Sequence, residues 1–289
     1  MKLTFQSMKA PTVIAFAAFV ASGSFAATGD QWRVGGWANG GLGTDRLMDY
    51  VEGSGVATNP RAYTLNNNSL SGLVHGLDYG QNGVLYAAAT FNDNGIYTVS
   101  ESNGALTQIA TIGTNAEGDM TYDPVGNRLL VSEGPFSKDI WQVDLNNNNA
   151  VSVWYTATGY DDIQGLAADS SGGIWALHTK INSNNVSELL KWNGSGFTSY
   201  GALSASMGVN AGMDFDQNGT LYMLSNSGSL YQCTTTFGNP VLTQVDFVNN
   251  GQGIGYTALA AVPEPASFLI LGCGAVSILA KRRRKMATI

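Results

Sequence analysis

Four times between residues 76 and 222 the chain returns to one pattern. A glycine opens a short run of small or apolar residues, a turn rich in Asn, Asp and Gly follows, and a second β-prone run completes it. The instances span residues 76–86, 118–130, 165–176 and 212–222, and a fifth at 255–259 starts the pattern and breaks off. The opening glycines, Gly76, Gly118, Gly165, Gly212 and Gly255, stand 42, 47, 47 and 43 residues apart. A period of ~40–50 residues carrying several strands is that of a β-propeller blade. A β-sandwich would need no such period.

Each unit reads as four strands. The small-residue strand that begins at the glycine suits the crowded inner position, where blades converge. The next strand follows a tight turn, and two outer strands complete the blade. Residues 95–99 and 105–109 supply them in the first unit, and residues 139–143 and 151–155 in the second. The ends of the body explain closure. Residues 255–262 hold one inner strand and no more, whereas residues 47–51 and 61–65 hold outer-strand material without an inner partner. Joining them removes an exposed sheet edge. The expected fold is therefore all-β: a propeller of four continuous blades and one composite closing blade, or of six blades if residues 32–43 hide a further strand.

Both ends of the chain read as routing signals. Lys2 and Lys9 precede an apolar stretch at 10–21 and a small-x-small site at Ser24-Phe25-Ala26, the pattern of a secretory signal cleaved after Ala26. At the other end Pro263-Glu264-Pro265 breaks any helix or sheet, and the run 266–280 carries no charge. As a helix it would reach roughly 22 Å at ~1.5 Å per residue, short of a ~30 Å hydrocarbon core, a deficit that snorkelling and bilayer thinning cover. Lys281-Arg282-Arg283-Arg284-Lys285 then acts as a cytoplasmic stop. The reading divides the chain into a signal peptide (1–26), a propeller body (27–262) and a sorting and anchor tail (263–289).

Pro-Glu-Pro, a short apolar helix, an Arg cluster and the chain end together resemble the PEP-CTERM sorting tail. The resemblance covers about the last 27 residues. It implies export by a Gram-negative bacterium and processing by an exosortase, a membrane-embedded transpeptidase-like enzyme. It also implies a final place at the cell surface or in an exopolysaccharide or biofilm matrix. On that resemblance Pro263, Glu264 and Pro265 are the recognition element and Arg282, Arg283 and Arg284 the retention element.

Charge narrows the partners. Seven basic residues stand against 21 acidic ones between Asp30 and Glu264, a balance near −14. Such a body has no electrostatic reason to bind nucleic acid or anionic lipid; divalent cations and neutral glycans remain. Cys233 lies in the body and Cys273 in the apolar tail, so no disulfide is expected and the core alone must hold the fold.

Several constellations bear on chemistry. Asp214-x-Asp216-x-Asn218-Gly219 resembles the first half of a calcium loop, but the glutamate expected at loop position twelve is Ser225, and Asn-Gly is also the favoured hairpin pair. The expectation is a turn, with calcium as the alternative and no other cofactor. His75 precedes the first inner strand, Asp119 the second, and Asp161 and Asp162 the third, a polar set placed at one mouth of the channel. His178 has no Cys or His at ligand spacing and is expected to be a hydrogen-bonded strand residue. Trp141, Trp154, Tyr155, Trp175 and Trp192 either stack on sugar rings or pack blade on blade, with packing preferred. No Gly-x-Ser-x-Gly elbow or phosphate loop is present. Two functions follow: a non-enzymatic surface module that binds polysaccharide or protein, or a metal-dependent hydrolase or lactonase acting on extracellular carbohydrate.

Overall fold

The structure is a computed structural model that describes residues 30–37, 45–90, 94–113, 118–134, 137–160, 162–180, 186–208, 211–249 and 255–263. In chain order the strands begin with β1 (Gln31–Trp37), β2 (Asp45–Val51) and β3 (Thr58–Ala62), then the short pair β4 (Thr64–Leu65) and β5 (Asn68–Ser69). Four antiparallel meanders follow. The first is β6 (Leu73–Tyr79), β7 (Leu85–Thr90), β8 (Gly95–Val99) and β9 (Ala105–Ala110). The second is β10 (Met120–Asp123), β11 (Arg128–Ser132), β12 (Asp139–Asp144) and β13 (Ala150–Thr156). The third is β14 (Ile163–Ala168), β15 (Ile174–Lys180), β16 (Val186–Trp192) and β17 (Phe197–Ala202). The fourth is β18 (Gly212–Phe215), β19 (Leu221–Leu224), β20 (Ser229–Cys233) and β21 (Leu242–Phe247), and β22 (Gly255–Ala261) ends the series.

Strand β22 joins the N-terminal strands in the order β22-β1-β2-β3, so the fifth blade is made from both ends of the body. The fold is a five-bladed propeller closed as the repeat required. The stretch 32–43 does contain a strand, β1, but it is the second strand of the closing blade and adds no sixth. Residues 61–65 divide between two blades. Ala62 ends β3, while Leu65 belongs to β4, which pairs in parallel with β9 at the outer edge of blade 1.

The inner hairpins are set by local chemistry. Their turns need a left-handed residue, and Gly83 (φ 71°), Gly172 (φ 83°) and Gly219 (φ 81°) provide it. Blade 2 has Asn127 there (φ 46°), one of the few side chains that tolerate the region.

Five buried clusters hold the molecule together, one for each seam between neighbouring blades. In blades 1 to 4 the outer strand carries a one-residue bulge, at Ile109, Trp154, Tyr200 and Val245. Each bulged side chain packs into the seam with the next blade. A bulge re-aims a side chain; here it fills the gap that widens as blades diverge from the axis.

The glycines of the repeat act at that axis. A Cβ on Gly76 would lie 2.4 Å from the Met120 amide nitrogen, and one on Gly212 would lie 2.5 Å from that of Leu259. Gly118 is an exception to the alignment. It stands ahead of β10, and its nearest neighbours are Ser132 of its own blade and the Ile163 carbonyl.

Candidate functional site

Inner strands begin where second strands end, as the pairs Leu73↔Thr90 and Ile163↔His178 show, and they finish at the tight hairpins. The channel therefore has a mouth lined by inner-strand starts and an opposite, hairpin end. His75, Asp119 and Asp162 all lie at the mouth side of their blades and are buried. Asp161 falls outside the described residues, as do Glu264, Pro265 and Arg282, Arg283 and Arg284 of the tail.

Asp119 does not face an open site. Its Oδ1 accepts the Met120 N–H at 2.8 Å, and its Oδ2 accepts the N–H groups of Leu166 at 3.2 Å and Met213 at 3.1 Å. One carboxylate thus ties blade 2 to blades 3 and 4. Asp78 does the same from blade 1 to blade 2, accepting from Tyr122 N–H (2.6 Å) and the Thr121 hydroxyl (3.0 Å). Asp214 links blade 4 to the closing blade through Ala261 N–H (2.7 Å). The Thr257 hydroxyl completes the circle by donating to the Val74 carbonyl of blade 1 at 2.6 Å. All five inner strands are connected by side-chain struts.

Burial raises the carboxyl pKa of Asp119 and Asp214 well above the usual range, reinforced by the charge of Asp78 on both and that of Asp119 on Asp214, while the amide donors oppose it. Asp78 is pushed up to about 6 by burial. Asp45 on β2, beside the Val74 amide, is pushed up to about 7 by the same cause.

His75 and Gln164 are bulged out of their β6 and β14 ladders at matching places, and Gln164 donates to Asp162. Glu133, just past the end of β11, is 2% exposed, and its Oε1 has no hydrogen-bond partner among the described residues. No motif marks it in the sequence. His178 sits 3.6 Å from Glu188 and edge-on to Tyr160, with 5.1 Å between ring centroids.

The Asp214–Asn218 stretch forms a turn: Asp216 Oδ1 accepts Thr220 N–H at 2.6 Å, and its carbonyl accepts Gly219 N–H at 3.1 Å. Asp214 and Asp216 separate, the first into the strut ring and the second into a cleft at the hairpin end. That cleft, of about 490 Å³, is lined by Asp30, Glu52, Asp216, Asn218, Tyr222 and Gln232 among others. Burial and the charges of Asp216 and Glu52 raise the Asp30 pKa. Among the described residues no three His, Cys, Asp or Glu side chains are disposed to hold a metal ion.

The aromatics serve the seams. Trp154 stacks near Trp192 at 4.6 Å with Tyr155 against the same ring at 4.7 Å, and Arg128 caps Trp154 at 5.2 Å. Trp175 is 4% exposed, with Lys191 above it at 4.4 Å. Trp141 packs into the seam of blades 1 and 2.

Fold and site together define a five-bladed β-propeller whose closing strand ends at Ala261, at the start of the C-terminal segment. Residues 261–285 match the PEP-CTERM protein-sorting motif, which marks a secreted, exosortase-processed cell-surface protein. The fold is similar to a chain in the crystal structure of a nidogen–laminin complex: 10% identity, 80% of this chain and 98% of that one covered, TM-score 0.57. A likeness to streptogramin B lyase is weaker, at 15% identity over 59% of this chain and 54% of that one, with a TM-score of 0.43. No curated protein matches the chain.

Proposed function

We propose that this protein is a non-enzymatic binding module of the bacterial surface or extracellular matrix, and that its ligand, a polysaccharide or a protein, meets the mouth of the propeller. Residues 1–26 direct export, and residues 263–289 hold the chain in the membrane until an exosortase acts. The observation that carries this reading is the junction of body and tail. Val262 N–H donates to the Gln31 carbonyl at 2.9 Å, and Gln217 Nε2 donates to the Val262 carbonyl at 2.8 Å. The closing strand is locked up to the residue before Pro263, so the tail can be removed without opening the ring.

The same junction lies at the hairpin end, because inner strands finish there. An anchored copy would turn its hairpin end to the membrane and its mouth outward. Support for the hydrolase reading is thinner: Asp119, the acid it needs as a ligand, already has both oxygens bound by backbone amides.

The test is co-sedimentation of residues 27–262 with the host's extracellular polysaccharide, in calcium and in chelator. Binding without turnover of the polymer supports the module. Polymer cleavage, lost in Glu133→Gln, would support the enzyme instead. Sorting is tested separately: Glu264→Ala, or loss of Arg282, Arg283 and Arg284, should leave unprocessed chain in the membrane fraction.

A further inference from the structure

A blade's outer strand presents unpaired N–H and C=O groups, a template for another chain unless it is guarded. Four of the five edges here are guarded, each differently. Blade 1 carries β4 against β9. In blade 3 the Gly238 N–H donates to the Tyr200 carbonyl at 2.7 Å, and Pro240 lies over Gly201. In blade 4 the Leu242 amide reaches Ser204, while Asp246 accepts from the Gly53 and Gly55 amides. The closing blade's β3 contains Pro60 and an Arg61 ion-paired to Asp49 at 2.5 Å.

Blade 2 has no such device among the described residues. Among the described residues β13, Ala-Val-Ser-Val-Trp-Tyr-Thr, pairs with β12 alone. It has no charge and no proline. Val153 is 43% exposed, and Ala150, Ser152 and Thr156 are exposed beside it. Its composition, β-branched and aromatic, is that of a strand ready to pair.

We propose that the outer edge of β13 is a self-association surface, where β13 of a second copy adds in antiparallel fashion to make one eight-stranded sheet from two blades. The open backbone edge calls for an extended strand as its partner. Charge selects which strand. The body's acidic excess makes two copies repel wherever acids meet, and β13 offers an uncharged stretch on both sides of a two-fold contact, which brings the same patch together twice. The bulge at Trp154 confines straight pairing to Ala150–Val153. The contact is therefore short and weak, and suited to copies crowded on one surface, where effective concentration is high.

The test uses the full-length chain exported by its host, with one added cysteine and a short bismaleimide. Ser152→Cys on β13 should give a crosslinked dimer, and Thr243→Cys on the guarded β21 should not; Cys233 is buried, and the parent chain, which carries Cys233 and Cys273, serves as background. Adding Val153→Lys, which brings an ammonium group into each end of the four-residue contact and two like charges into one small patch, should cut the dimer several-fold; unchanged export and processing report that this variant folds. Equal crosslinking from both cysteines, no dimer from Ser152→Cys, a dimer untouched by Val153→Lys, or a product joined to a different protein would each overturn the proposal.

Discussion

The axis and the rim of this propeller obey different rules. At the axis the inner strands meet backbone to backbone, glycines stand where a Cβ would collide with a neighbouring main chain, and buried carboxylates hold amides of other blades. At the rim the strands are bulged and half-exposed, and aromatic rings fill the widening seams. Position along the blade, more than residue type, decides what a substitution does. The same contrast explains why an aspartate at the axis is a strut and one at the hairpin end lines an open cleft.

The sharpest way to break the contrast is a pair of glycine changes. Gly76→Val puts a branched side chain against the Met120 backbone and should abolish folding, a loss above about 4 kcal/mol. Gly83→Ala has open space around its Cβ but needs φ 71°, and should cost about 1 kcal/mol. Urea unfolding of both variants checks this; equal losses would erase the distinction between axis and turn.

Next in size is Asp119→Ala. It strands the buried Leu166 and Met213 amides at roughly 1–3 kcal/mol each, whereas Asp119→Asn keeps an acceptor and should lose less. If both variants unfold like the parent chain, the strut ring is not a stabilising element.

A further comparison sets fully buried carboxyls against a part-buried one by pH. Asp45 and Asp78 titrate higher folded than unfolded, so between pH ~4 and ~6–7 the native state binds more protons than the unfolded one. Stability then falls as pH rises, by up to roughly 1.4 kcal/mol per pH unit for each group. The melting temperature should be higher at pH 5 than at pH 8, and Asp45→Asn should flatten the slope. A melting temperature that rises from pH 5 to pH 8 would contradict this. Asp49, part-buried on β2, has its pKa lowered: burial opposes this, but the Arg61 and Asn59 hydrogen bonds and the charges of Arg33 and Arg61 outweigh it, so its stabilising contribution is fully present above the usual carboxylate range and is lost as pH falls below it. The smallest effect is Arg61→Ala, which removes a partly exposed ion pair and should cost about 1 kcal/mol or less.

How much of this the sequence discloses also follows the divide between local and distant causes. The hairpins are legible because each is set by a Gly or Asn within its own turn, and the blade count follows from their spacing. Strand β1 was hidden by its glycines: Arg33-Val34-Gly35-Gly36 reads as loop until β22, more than 200 residues away, pairs with it. Gly118 fits the motif yet does not take its place at the axis, because the repeat in blade 2 is offset against β10. The roles of Asp119 and Asp214 depend on amides 47, 94 and 47 residues distant, and no local pattern announces them. The hairpin-end cleft gathers Asp30, Glu52 and Asp216 from opposite ends of the body for the same reason.

The claim on which the rest depends is that β22 closes the propeller body and that everything after Val262 is dispensable to it. The most direct measurement compares residues 27–262 with residues 27–254 by thermal unfolding and by co-sedimentation with the host polysaccharide. The account predicts one cooperative transition and binding for the longer chain, and neither for the shorter. Equal unfolding by both chains, or equal binding by both, would contradict it.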